Sequence, residues 1–308
     1  MRLQQSSTSS LAELDCLLWK EQSSYKFNAK ALFPPHLQPA SSSSIHWRHR
    51  ICEWCYEFID HYNFDREVVG VAMNYFDRYL SSQRSCDVTH SKDDYQTIAV
   101  TSLFIAIKVH SMSEDCLAQN RSHALSRLLY DNADPQEIYE MEMDILQALD
   151  WRLNPPTLHQ FAINFSQLHP LKDSSSTLMS YLYEATRYQV ELAIFSPELL
   201  AAFLPSVIAY AALKNTEEKI AADHRHILTA DMRQSFKALM EDLEVDPTAV
   251  APCQLSLQRL CPQFPDLDDF NETDVDTNTR VVIDDNPQAQ GEDTVTVVSI
   301  SPMNVADY

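Results

Sequence analysis

The chain has 308 residues and only two glycines, Gly70 and Gly291, where average usage of ~7% would give about 22. Glycine reaches positive φ cheaply and lets backbone approach a phosphate, so isolated glycines exclude a Gly-rich phosphate loop, a dinucleotide-binding fingerprint, a nucleophile elbow and a fold of tight hairpins. Lys and Arg number 23 against 44 Asp and Glu, and the resulting charge of −21 disfavours nucleic acid and anionic lipid as partners.

What remains is a mostly helical chain. Residues 1–10 are polar and read as disordered, and LAELDCLLWK at 11–20 is weakly amphipathic. Pro34, Pro35, Pro39 and the serines 41–44 read as a linker, with Ser44 as the N-cap of the next helix. Five helices are predicted from there, at about 45–62, 65–80, 94–110, 119–130 and 135–150. The third contains TIAVTSLFIAIKV, apolar almost all round, which suits the centre of a bundle. Asp134-Pro135 opens the fifth as a cap followed by proline at the first helical position.

Arg152 to Pro156 reads as a short joint before a second group, at about 157–167, 174–194, 197–214, 229–243 and 247–260. LLAAFLPSVIAYAAL at 199–213 again places an apolar helix third. The expected organisation is an N-terminal segment (1–44), two bundles (45–154 and 155–262) and a tail (263–308). Residues 266–308 hold eleven acidic residues against Arg280, a net of −10, and are expected to be disordered. The seven cysteines are irregularly spaced, so no disulfide framework is expected. The N-terminus lacks an apolar signal core, and no run approaches the ~18 apolar residues of a membrane span. A soluble protein of a reducing compartment is expected.

EVVGVAMNYFDRYL at 67–80, SLFIAIKVHS at 102–111 and MEMDILQALDWRLNPPT at 141–157 together resemble the cyclin box, and LPSVIAYAAL at 204–213 resembles the middle of a second cyclin fold. The resemblance covers roughly 30–260, and MNYFDRYLS is most similar to D-type and A-type cyclins. It implies an all-α chain of two tandem five-helix cyclin folds. It also implies a regulatory subunit, not an enzyme, that binds and activates a cyclin-dependent Ser/Thr kinase in cell-cycle control, with a G1-like role preferred. No cofactor, metal, nucleic acid or membrane is expected. The resemblance implies a nuclear location, shared with the cytoplasm, although no basic import run is present. The alternatives are a cyclin-fold adaptor or transcription-type cyclin that recruits a partner without activating a cell-cycle kinase, and an all-α hydrolase, for which the scattered histidines show no ligand spacing.

Two charges stand out on apolar surfaces. Lys108 ends the most apolar helix, and Glu142 lies four residues after Ile138 and three before Ile145. A lone buried charge is costly, so each needs a partner or a route to solvent. The resemblance makes Lys108 and Glu142 the polar anchors of the kinase interface. It also makes Arg48 and Asp77 a buried ion pair between the first two helices. Trp47, Ile51, Trp54 and Glu57 share a helical face; with Gln96 they match a groove that docks Arg-x-Leu substrates and inhibitors. The two tryptophans read equally as core packing. Arg50 replaces an apolar groove residue and should weaken such docking.

LDCLL at 14–18 is similar to the Leu-x-Cys-x-Glu motif that binds retinoblastoma-like pocket proteins, but Leu18 stands where Glu belongs, and an amphipathic segment is the plainer reading. Residues 1–44 hold no Arg-x-x-Leu destruction box, which argues against a mitotic cyclin. Cys52 and Cys55 have Cys-x-x-Cys spacing but sit mid-helix with no second pair. Ser301-Pro302 in the acidic tail makes Ser301 a candidate phosphosite.

Overall fold

Ile98 to Ile107 are buried without interruption, so one helix carries no solvent face across these residues and other helices must surround it. The computed structural model describes residues 2–23, 25, 42–84, 91–110, 124–128 and 135–261. The buried run belongs to α4 (Lys92–His110), which packs against α2 (Ser42–His61), α3 (Glu67–Arg84) and α5 (Pro135–Ala148). A short helical stretch at 124–128 contributes Ala124 and Leu128 to the same core.

The second half repeats this plan. Its central helix is α9 (Pro205–Asp223), buried continuously from Ser206 to Leu213. Around it lie α6 (Leu158–Leu168), α7 (Ser176–Phe195) and α11 (Pro247–Leu260). The short α8 (Pro197–Ala202) and α10 (Ala230–Asp242) complete the half. Thr157 opens α6 with a capping box, its hydroxyl accepting from the Gln160 N–H. A buried amide network registers α7 on α9: Gln189 donates to the Ala212 carbonyl at 3.0 Å, and Asn215 donates to Gln189 at 3.0 Å. Among the described residues there is no strand.

Several boundaries differ from expectation. The first helix, α1, runs from Arg2 to Ser23, well beyond 11–20. Helix α2 begins at Ser42, so Ser44 lies inside its first turn and is not its cap. The helix expected over 197–214 is two, because Phe203 and Leu204 are extended and Pro205 starts a fresh helix that continues to Asp223. The linker 34–40 and the tail 263–308 lie outside the described residues.

Although α1 precedes the first bundle, it docks on α6 of the second. Leu14, Leu17 and Leu18 are buried there. Glu21 completes the attachment: its carboxylate accepts from the Ser206 N–H at 2.8 Å and from the Ser206 hydroxyl at 2.7 Å. The start of α9 needs that acceptor, because its N-cap position, Leu204, has no side-chain oxygen.

The halves are also joined through Arg48. Its guanidinium meets Asp77 on α3 through two hydrogen bonds, at 2.9 and 2.7 Å. Its remaining amino group donates to the Ile194 carbonyl at the end of α7, at 2.8 Å. The connecting segment is held from α3 as well: Arg78 donates to the Leu149 and Arg152 carbonyls, and the Tyr75 hydroxyl donates to the Leu153 carbonyl at 2.5 Å. Asp150 and Trp151 in this segment have φ of 50° and 56°, a region that costs non-glycine residues about 1–2 kcal/mol.

Gly70 is not needed for its backbone, because its φ is not positive. A Cβ placed there would meet only the Ile194 Cδ1, at 3.4 Å, which is van der Waals contact. Gly70→Ala should therefore raise the unfolding free energy by up to about 1 kcal/mol, measured by urea unfolding, because alanine is the better helix former. In the same assay, Arg48→Ala should lower it by about 3–5 kcal/mol, since it strands the buried Asp77 carboxylate.

Candidate functional site

Lys108 sits in the last turn of α4, where the apolar helix meets solvent. Its ammonium lies 2.5 Å from the Glu142 carboxylate on α5 and 4.7 Å above the ring of Phe104. The two charges that stand out in the sequence are therefore each other's partner. Lys108 is exposed and Glu142 is half-buried.

The surroundings of the pair are unusual for a solvated face. Tyr139 and Met143 are 48% and 46% exposed, and Val109 beside Lys108 is 40% exposed. Tyr139 and Met143 flank one side of the buried stripe of Ile138, Ile145 and Leu146 on α5, and Glu142 lies within that stripe, four residues after Ile138 and three before Ile145. An ion pair rimmed by exposed apolar side chains on two helices has the composition of a protein-binding surface. The sequence shows Tyr139 and Met143 only as a second apolar pair beside the core stripe. Their exposure becomes evident once α4 and α5 are in place.

Arg48 and Asp77 are each 5% exposed. Burial works against the Arg48 charge, but the adjacent Asp77 carboxylate outweighs it and holds the guanidinium more firmly protonated than usual. This pair is part of the framework that joins the two halves.

The helical face of the expected groove is divided between core and surface. Ile51 and Trp54 are each 3% exposed, and Trp54 packs against Phe58 at 5.9 Å between ring centroids. Trp47, Arg50 and Gln96 are half-buried, and Glu57 is exposed. A docking peptide would therefore meet Trp47, Arg50, Glu57 and Gln96 before Trp54 or Ile51.

Other signals resolve into structure. Burial pushes the Cys52 thiol up to about 12 and the Cys55 thiol upward as well, so neither offers a thiolate. Among the described residues, no group of three or more His, Cys, Asp or Glu stands together as metal ligands. No described helix is long and apolar enough to cross a membrane. The leucines of LDCLL are buried in the fold, with Asp15 and Cys16 facing out. Ser301 lies outside the described residues.

Residues 17–154 match the family model of the cyclin N-terminal domain. The chain is similar to the G1/S-specific cyclin-E1 of Rattus norvegicus, with 29% identity over 129 residues that cover 42% of this chain and 29% of that one. It is also similar to the G2/mitotic-specific cyclin-A of Patella vulgata, with 27% identity over 179 residues covering 57% and 37%. These alignments span between a quarter and two fifths of the relatives' own lengths. Among solved structures, a viral cyclin from herpesvirus saimiri shares the fold at a TM-score of 0.53 and 20% identity, covering 72% of this chain and 86% of that one. The two bundles, each wrapped on a buried central helix, are cyclin folds, and residues 17–154 carry the cyclin N-terminal domain.

Proposed function

We propose that the chain is a regulatory subunit that binds a cyclin-dependent Ser/Thr kinase through the α4–α5 face and activates it in cell-cycle control. The observation that carries this reading is the Lys108–Glu142 pair with its exposed apolar rim of Tyr139, Met143 and Val109. The rim supplies area for a partner helix. The ion pair supplies hydrogen-bonding groups already aimed across the same surface. With the Lys108 end exposed, the pair contributes about 1 kcal/mol or less to stability, so the lysine turns toward a partner at little cost. Bound there, the chain would draw the kinase's regulatory helix inward, complete the kinase's own Lys–Glu pair and release its activation loop. ATP and the transferred phosphate then belong to the partner.

The face of Trp47, Arg50, Glu57 and Gln96 is the proposed docking site for substrates and inhibitors. Glu57 would accept from the arginine of an Arg-x-Leu motif, while the Arg50 guanidinium opposes that arginine.

Replacing Lys108 and Glu142 together with alanine should weaken co-purification with the kinase by roughly tenfold or more while leaving the unfolding free energy within about 1 kcal/mol of the parent. Unchanged co-purification would contradict the proposed interface. Arg50→Ile should strengthen binding of an Arg-x-Leu peptide, measured by fluorescence anisotropy, and an unchanged affinity would count against the groove.

A further inference from the structure

Gly70 breaks a helix rule with no backbone reason for doing so. It stands mid-helix in α3, its φ is not positive, a Cβ there would meet only the Ile194 Cδ1 at 3.4 Å, and its open side faces a cavity. That cavity, of about 200 Å³, lies between the two cyclin folds and is lined by α1, α3, the segment from Pro155 to His159, Ile194 of α7 and the stretch from Leu200 to Pro205 that joins α8 to α9. Glu67, Gly70, Asn74 and Asp77 follow one another at steps of three or four along the α3 wall. Stability given up to keep a space open is the pattern of a binding site.

The polar lining shows what the space would take. Glu67 accepts from the Thr157 hydroxyl at 2.8 Å, Glu21 is held by Ser206, and Asp77 is neutralised by Arg48. Burial pushes Glu67 and Glu21 above the ordinary carboxylate range, and an incoming cation would relieve both. His159 also lines the cavity. It is 4% exposed, and its Nε2 lies 3.8 Å from the Glu191 carboxylate, beyond hydrogen-bond distance. Burial lowers its pKa to about 4, so at neutral pH it is an uncharged ring with an acceptor nitrogen. Met73, Leu158 and Ile194 supply apolar wall, with the Tyr25 and Asn74 side chains as further polar groups. A dry cavity of about 150 Å³ holds benzene, so this one has room for one ring with a short arm.

We infer that the cavity between the two folds binds a small organic amine, with its ammonium against Glu67, Glu21 and His159 and an apolar body of about one ring resting over Gly70. This site is separate from the α4–α5 face and does not depend on the kinase reading.

The test is a titration of the full chain with phenethylamine, with 2-phenylethanol and phenylacetate as isosteric controls, followed by the methyl NMR resonance of Met73. Phenethylamine should shift that resonance saturably at millimolar concentration, and phenylacetate should bind at least tenfold more weakly. A chain of charge −21 attracts cations everywhere, so Gly70→Leu, which fills the space without altering charge, separates the site from the surface. It should abolish the shift. Glu67→Gln keeps the space and should erase most of the preference for the amine over the alcohol, which tests the site even if the leucine variant does not fold. A Met73 resonance unmoved by phenethylamine, a shift that persists in folded Gly70→Leu, or equal binding of phenylacetate would overturn the inference.

Discussion

A single buried cation decides how the two cyclin folds meet. Arg48 cannot lose its charge, so burying it requires acceptors for the whole guanidinium. Asp77 takes one edge in a bidentate pair, and the end of α7 supplies the rest through the Ile194 carbonyl. The last carbonyls of a helix lack intrahelical partners and carry its negative dipole end, which suits a cation. One side chain thus satisfies its own charge, an acidic side chain of α3 and an orphan carbonyl of the second fold. Glu21 does the reverse at the start of α9, where an acidic group meets a positive helix end. Both ends of the interface are held by charges placed where the backbone calls for them.

The scarcity of glycine shapes the rest. Left-handed backbone positions are occupied by Asn63, Asp150, Trp151 and Glu244, and at Asp150 and Trp151 the Arg78 hydrogen bonds to the flanking Leu149 and Arg152 carbonyls help offset the steric cost. With its glycines isolated, the chain cannot build the backbone cradle that binds nucleotide phosphates. A role in phosphorylation is then exerted on a partner that owns such a loop. The surface best suited to that partner is the α4–α5 face, where polar groups and exposed apolar side chains coincide.

Elements whose signals are local are legible in the sequence. Helix α4 over 98–107 and α9 over 206–213 lack a charged face, and no position for these stretches except a bundle centre avoids exposing apolar surface. Pro135, expected at the first helical position, does open α5, whereas Thr157, expected inside the next helix, is the cap of α6. What is not legible depends on chain segments far apart: Arg48 reaches Ile194 across 146 residues, and Glu21 reaches Ser206 across 185. Neither leaves a periodic trace. Ser44 has the chemistry of a cap, but the helix starts earlier, at Ser42. Pro205 divides a run whose hydrophobicity alone suggests one helix. At the candidate site, the charges of Lys108 and Glu142 stand out against apolar neighbours. Their pairing with each other, and the exposure of Tyr139 and Met143, need the packing of α4 on α5.

The proposed role requires this chain to confer activity on a kinase without holding ATP itself. The direct measurement is transfer of labelled phosphate to histone by the purified chain, by a cyclin-dependent kinase, and by the two together. Transfer well above background is predicted for the pair and for neither component alone. Transfer by the chain alone, or no gain over the kinase alone with any cyclin-dependent kinase it binds, would contradict the account.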